Sequence, residues 1–129
     1  MAVYKTDIES QVASSVISMS QSFPSGGAAL AVQAVTASAT DVFAVVIDNS
    51  LNTAVSYLKC WDTTGSITIG SVNPNMILKA DAGVKVQYSF DAGAPFSAGI
   101  KSAVLTSKGK AGTTAPSNDV TITFLATPS

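Results

Sequence analysis

The side chains able to do chemistry are few and scattered. Asp41, Asp48, Asp62, Asp81, Asp91 and Asp119 are spread over the last two thirds of the chain, and the lone glutamate, Glu9, stands near its start. A hard cation such as Ca²⁺ needs about six to eight oxygens, often several from one loop. No segment holds such a spaced Asp/Asn series. Asp41 and Asp48 flank a run that spans about 20 Å if extended, too far to share an ion. Glycoside hydrolysis needs two carboxylates facing one cleft, and nothing selects a pair. The aspartates read instead as turn formers at strand ends. Serine and threonine are abundant, but Gly-x-Ser-x-Gly is absent and there is no histidine to complete a triad. Ser25-Gly26-Gly27 lacks the Lys-Ser/Thr ending of a phosphate loop. Cys60 is the only cysteine, so no intrachain disulfide forms, and with no imidazole to activate it Cys60 reads as a small buried hydrophobe. We therefore assign no catalytic, cofactor-binding or metal-binding residue. One polar segment remains, the Gly/Thr/Pro-rich stretch Ser107–Asp119. Its Lys108, Lys110, Thr113 and Thr114 are the candidate interaction residues; the plainer reading of the two lysines is solubilising loop charge.

The elements that must carry that loop have a period of two. Val84, Val86, Tyr88 and Phe90 alternate with Lys85, Gln87, Ser89 and Asp91, one apolar face and one wet face. Val120, Ile122 and Phe124 alternate with Thr121 and Thr123, and β-branched and aromatic side chains favour a strand. Ala54–Asp62 puts Val55, Tyr57 and Trp61 on one face and Ala54, Ser56, Leu58 and Cys60 on the other. Asp41–Asp48 encloses six apolar residues on both faces, which suits a central strand. Weaker strands are expected at Gln11–Ser20, Leu30–Thr36, Ser66–Ile69, Asn75–Leu78 and Ile100–Thr106. Val12–Val35 is rich in alanine and serine, so strand, helix and extended arm all remain open there. Turns are expected at Pro24–Gly27, Asp48–Asn52, Asp81–Gly83 and Asp91–Gly93, and Ser107–Asp119 is expected to be an exposed loop that packs no apolar surface. The pattern predicts an all-β fold: an antiparallel β-sandwich, jelly-roll or immunoglobulin-like, of about eight or nine short strands. The 129 residues suit a single domain, with residues 1–26 as an N-terminal arm or edge segment.

Composition narrows the function classes. Apolar residues make up 47% and charged residues only 12%, for a net charge of −1 with no arginine. A nucleic-acid binder needs a basic excess and arginine for bidentate contacts. The absence of histidine removes the commonest general base and metal ligand. These features argue against an enzyme. Asp7 and Glu9 interrupt what would be the apolar part of a secretory leader, and the longest large-apolar run, Val42–Ile47, is far short of the roughly 20 residues that span a bilayer. The expected setting is a reducing cytoplasm during synthesis, with no membrane and no nucleic-acid partner. The wet faces are built from Ser, Thr, Ala and Gln, and charge-poor surfaces resemble the centres of subunit interfaces. Lys59, Lys79, Lys85 and Lys101 are candidate gatekeepers of exposed sheet edges.

Four stretches also carry a pattern: Asn52-Thr-Ala-Val-Ser-Tyr-Leu-Lys-Cys-Trp-Asp62, Asp81-Ala-Gly-Val-Lys-Val-Gln-Tyr-Ser-Phe90, Phe96-Ser-Ala-Gly-Ile100 and Gly112-Thr-Thr-Ala-Pro-Ser-Asn-Asp-Val-Thr-Ile-Thr-Phe124. In this order they resemble a small β-domain of tailed-bacteriophage virion structural proteins. The likeness covers a little over half of the chain, leaves residues 1–51 outside, and rests on strands and turns, so it transfers no functional residue. It implies a virion location and a capsid cement (decoration) protein, a homotrimer contacting the major capsid protein and copies of itself. A tail, neck or baseplate component is the alternative within the same setting. Outside it, a carbohydrate-binding sandwich using the Ser107–Asp119 loop is the competing reading.

Overall fold

The computed structural model describes residues 16–21, by their backbone, and residues 32–129. No helix forms among them. The strands are β1 (Val16–Gln21), β2 (Gln33–Thr36), β3 (Thr40–Asp48), β4 (Ser56–Asp62), β5 (Met76–Ala80), β6 (Lys85–Phe96), β7 (Ile100–Leu105) and β8 (Val120–Pro128). They build two antiparallel sheets, sheet A in the order β1-β8-β3-β6 and sheet B in the order β2-β7-β4-β5. All-β architecture and the two-sheet arrangement agree with the period-two reading. The strand number is lower than eight or nine over the continuous stretch 32–129, which holds β2 to β8; β1 is added from outside it. The Pro24–Gly27 turn, and most of the 1–26 arm, lie outside the described residues. Within Val12–Val35, residues 16–21 and 33–35 are strand and Val32 is not.

The core lies between the sheets because alternate residues of each strand point inward. From β8 these are Val120, Ile122, Phe124 and Ala126, all with no exposed surface, while Thr121 and Leu125 face out. β3 contributes Val42, Val45 and Ile47, β4 Leu58 and Cys60, β5 Leu78 and Ala80, and β7 Ile100 and Val104, with Phe96 from the end of β6. Each such large side chain contributes about 1.5–3 kcal/mol by leaving water. β3 is central in sheet A, between β8 and β6, as its run of apolar residues requires.

Its alternation breaks once. The register shifts between Val42 and Ala44 in both of its pairings, so Phe43 is an extra residue on the β8 side and faces the excess of β6 residues between Ser89 and Ala94. Asp91–Gly93, expected as a turn, is therefore a bulge inside β6. Gly93 takes a φ of 80°, and the Phe43 ring lies so close that an added Cβ would sit 3.2 Å from it. The glycine serves a kink, and the strand resumes.

Ser66–Ile69 corrects a second expectation. Despite its alternating β-branched residues it lies in the loop from 63 to 75 and turns back through the bond from Ser71 N–H to the Thr68 carbonyl. The reason is positional: β4 already has β7 and β5 as its two neighbours, so the segment following it finds no ladder to join.

Between β5 and β6 the two sheets meet along an open flank. Tyr88 spans it, its hydroxyl donating to the Lys79 carbonyl at 2.6 Å. Val86, Tyr88, Phe90 and Met76 are half-buried there against the core. At one end of the sandwich, a polar knot joins distant turns. Asn49, with no exposed surface, donates from Nδ2 to the Ala54 carbonyl (3.0 Å) and the Asp81 carbonyl (3.0 Å). Its Oδ1 accepts from Asn52 Nδ2 (3.0 Å) and Ser56 Oγ (2.9 Å). Asn52 Oδ1 in turn accepts from the Asn118 N–H at 2.8 Å. Buried amides are stable only when satisfied in this way.

Candidate functional site

The candidate interaction loop begins where β7 ends. Both the N–H and the hydroxyl of Thr106 donate to the Thr114 carbonyl, at 2.9 and 3.2 Å. That closes residues 107–113 into a compact surface loop with its ends together. Lys108, Lys110, Thr113 and Thr114 are all exposed on it, so the structure brings the predicted residues onto one loop. At its tip, the Gly112 N–H donates to the Gly109 carbonyl at 3.2 Å. A Cβ at Gly112 would meet the Ser107 hydroxyl, which would have to turn away.

The loop is not merely solvated. Lys59 of β4 reaches it from beneath, its Nζ donating to the Gly109 carbonyl at 2.6 Å, and only 1% of Lys59 is exposed. Burial pushes the Lys59 ammonium below the ordinary lysine value. Further along, Pro116 is buried and Ala115 packs against the core. This corrects the expectation that Ser107–Asp119 packs no apolar surface. It also corrects the gatekeeper reading of Lys59 and Lys101, which lie on the inner strands β4 and β7; Lys79 and Lys85 do lie on edge strands.

A second loop joins the first. Trp61 Nε1 donates to the Val72 carbonyl at 3.1 Å, tying down the loop from 63 to 75. The two loops touch where Gly70 lies against Thr113, whose Cγ2 would be 3.1 Å from an added Cβ. On β4 the core takes Leu58 and Cys60, so Lys59 and Trp61 point to the outer side of sheet B. On β7 the same parity puts Ala103 and Leu105 outward, yet neither has any exposed surface. Sheet B thus carries a second buried layer on its outer face. The lysine at an alternating position reads as wet and masks this layer, although Trp61, Ala103 and Leu105 are apolar at outward positions.

The aspartates do what turn formers do. The Asp48 carboxylate accepts from the Ser50 N–H at 3.1 Å, and the bonds from Ser50 hold it below the usual carboxylate range. Asp62 clamps the β6–β7 turn: its oxygens accept from Ser97 N–H (2.9 Å), Ser97 Oγ (3.0 Å) and Ala98 N–H (2.8 Å). Those backbone amides, Ala98 first, depress its pKa. Asp81 pairs with Lys79 at 3.2 Å, an exposed bridge of little energetic weight. Cys60 is buried, and desolvation pushes its thiol up to about 12, which leaves it inert as a nucleophile. Among the described residues, no cluster of His, Cys, Asp and Glu is arranged to hold a metal ion. None of the described residues forms a helix long and apolar enough to cross a membrane.

The outer face of sheet A differs. Asp48 stands across from Lys85 and Thr121, and Val46 across from Gln87 and Thr123. These six, with Val86, line a shallow groove of about 550 Å³. One carboxylate, one ammonium, one amide and two hydroxyls border it around the half-buried Val46. They offer hydrogen bonds to a polar partner, with no general acid–base pair set on a common reacting atom.

No family model matches the chain, and no curated protein or solved structure is significantly similar to it.

Proposed function

We propose that this chain is a non-enzymatic virion structural protein of the capsid cement kind, folded as a jelly roll and acting as a homo-oligomer against the major capsid protein. The observation that carries the reading is the strand order β1-β8-β3-β6 over β2-β7-β4-β5. It is the double wrapping of eight-stranded jelly rolls, an architecture used by viral capsid and lectin domains. Fold alone names no function. What adds to it is the charge-poor outer surface, the absence of histidine and arginine from the sequence, and the resemblance of Asn52–Phe124 to tailed-phage virion domains. A cement protein needs a firm core, a polar but sparsely charged contact surface and loops that reach its neighbours; many weak identical contacts then add up by multivalency.

The test is cryo-electron microscopy with peptide mass spectrometry of purified particles. Density for this fold on the shell supports the cement reading. Density confined to the tail, neck or baseplate moves the protein to that role, and absence from mature particles overturns the virion setting. The groove on sheet A favours one second reading, a carbohydrate-binding module, since its amide, hydroxyls and charged groups suit sugar hydroxyls. A glycan array without hits removes that reading.

A further inference from the structure

β6 is an edge strand of unusual length, running from Lys85 to Phe96, and no strand of the described residues pairs with it on the side away from β3. Such an edge is a template for another chain unless it is short, bulged or covered. Of the three other described edges, β1 has six residues, half the length of β6, and the two of sheet B are blunted. β2 has only four residues and a register shift. β5 has five, and the Tyr88 hydroxyl takes its Lys79 carbonyl. In β6 the bulge comes after Ser89 and leaves Lys85–Ser89 in regular pairing with β3.

We propose that this edge pairs with the same edge of a second copy, antiparallel about a two-fold axis at Tyr88. The run Lys85-Val-Gln-Tyr-Ser-Phe-Asp91 is complementary to its own reverse. Centred on Tyr88, the pairing sets Lys85 opposite the second copy's Asp91, Val86 opposite Phe90 and Gln87 opposite Ser89. Each charge meets its opposite, twice per dimer.

Backbone geometry allows this register. The Asn49 N–H donates to the Val84 carbonyl, 2.9 Å away. Because antiparallel hydrogen bonding alternates by residue, Val84, Val86 and Tyr88 turn their peptide groups toward β3, and Lys85, Gln87 and Ser89 turn theirs to the free edge. A Tyr88-centred pairing joins Gln87 to Ser89, two residues with edge-facing groups. Registers displaced by one residue join edge-facing groups to inward-facing ones. A centre at Lys85 or at Asp91 sets like charges opposite each other, and a centre at Ser89 sets Lys85 opposite Gly93 and leaves both charges without an opposite partner.

The side chains agree. Lys85, Gln87, Ser89 and Asp91 are exposed, while Val86, Tyr88 and Phe90 are only half-buried on the flank where the sandwich is open. Pairing covers that flank and extends sheet A across both copies. The contact is isologous, as two-fold dimers require. It does not depend on the virion reading, and it makes the basic unit two-fold where the resemblance implied a trimer.

Light scattering and sedimentation equilibrium on the full chain test it. The expected species has about twice the 13.0 kDa of one chain, in equilibrium with monomer. Gln87→Pro removes an edge-facing N–H at an exposed position, where an edge strand tolerates proline, and is expected to give monomer. The emission of Trp61, the sole tryptophan, reports whether that variant is folded. Asp91→Lys sets lysines opposite each other and is expected to weaken the dimer about tenfold. Adding Lys85→Asp in the same chain restores opposite charges and the dimer, a rescue that a contact elsewhere on the molecule does not predict. A monomer at every concentration, a trimer, or a dimer indifferent to Gln87→Pro and Asp91→Lys overturns the proposal.

Discussion

The two outer faces of this sandwich come from strands that alternate in the same way, yet they end in opposite states. On sheet A, Thr121 and Gln87 are exposed and border an open groove. On sheet B, Lys59, Trp61, Ala103 and Leu105 are sealed. The difference does not lie in the period of the strands, and the apolar Trp61, Ala103 and Leu105 that sheet B turns outward do not seal a face by themselves. It lies in the segments that leave β4 and β7: two loops fold back over sheet B, held by the Lys59 and Trp61 bonds to the Gly109 and Val72 carbonyls. An alternating pattern specifies two faces; the connections decide whether the second is wet. One face is thereby free for partners, and the other supports the loop that carries Lys108 and Lys110.

The contrast can be broken most forcefully at Leu105. Leu105→Ala is expected to cost about 2–5 kcal/mol, as at an interior site, measured by urea denaturation; a loss below about 1 kcal/mol would mean that the outer layer of sheet B is not a core. Gly112→Ala comes next, at about 1–3 kcal/mol, because Ser107 must move; the loop should then be cut faster by trypsin at Lys108 and Lys110.

Asp62→Asn is expected to cost about 1–2 kcal/mol at neutral pH, after allowance for solvent screening. The folded-state pKa of Asp62 is depressed, so its contribution is present above the ordinary aspartate range and is lost as pH falls through the folded value. Acid titrations of stability should therefore be flatter in the variant than in the parent.

Lys59→Met should change stability little, or raise it, since it keeps the stem and removes a buried charge. The signature is in its pH dependence. The folded Lys59 pKa is lowered, so the unfolded chain binds more protons between that value and the ordinary lysine value. Stability of the parent rises with pH through this window relative to the variant; parallel profiles would place Lys59 in solvent. The smallest effects belong to sheet A: Thr121→Ala and Gln87→Ala should each stay within about 0.5 kcal/mol.

Much of this was legible from residue order. The strands at Ala54–Asp62 and Val120–Phe124 follow from a period of two together with β-branched side chains, and that at Asp41–Asp48 from a run apolar on both faces. The turns at Asp48–Asn52 and Asp81–Gly83 follow from Asx and glycine chemistry. The candidate loop was legible too, as a polar stretch too rich in glycine to be a strand. Ser66–Ile69 and Asp91–Gly93 were misread for one reason: each has sound local chemistry, and what decides its state is a neighbour distant in the chain. Ser66–Ile69 lacks a free strand to pair with, and Gly93 answers to the ring of Phe43.

The order of residues by itself determined that the chain makes sheets with one apolar side, and that it carries neither imidazole nor guanidinium. Those are properties of single side chains and of spacing, which survive in any conformation. Which sheet each strand joins, how Lys59 comes to lie under Gly109, and which edge is left bare were decided only by tertiary structure. Each depends on the meeting of segments tens of residues apart, and the free energy of such a meeting belongs to neither segment alone.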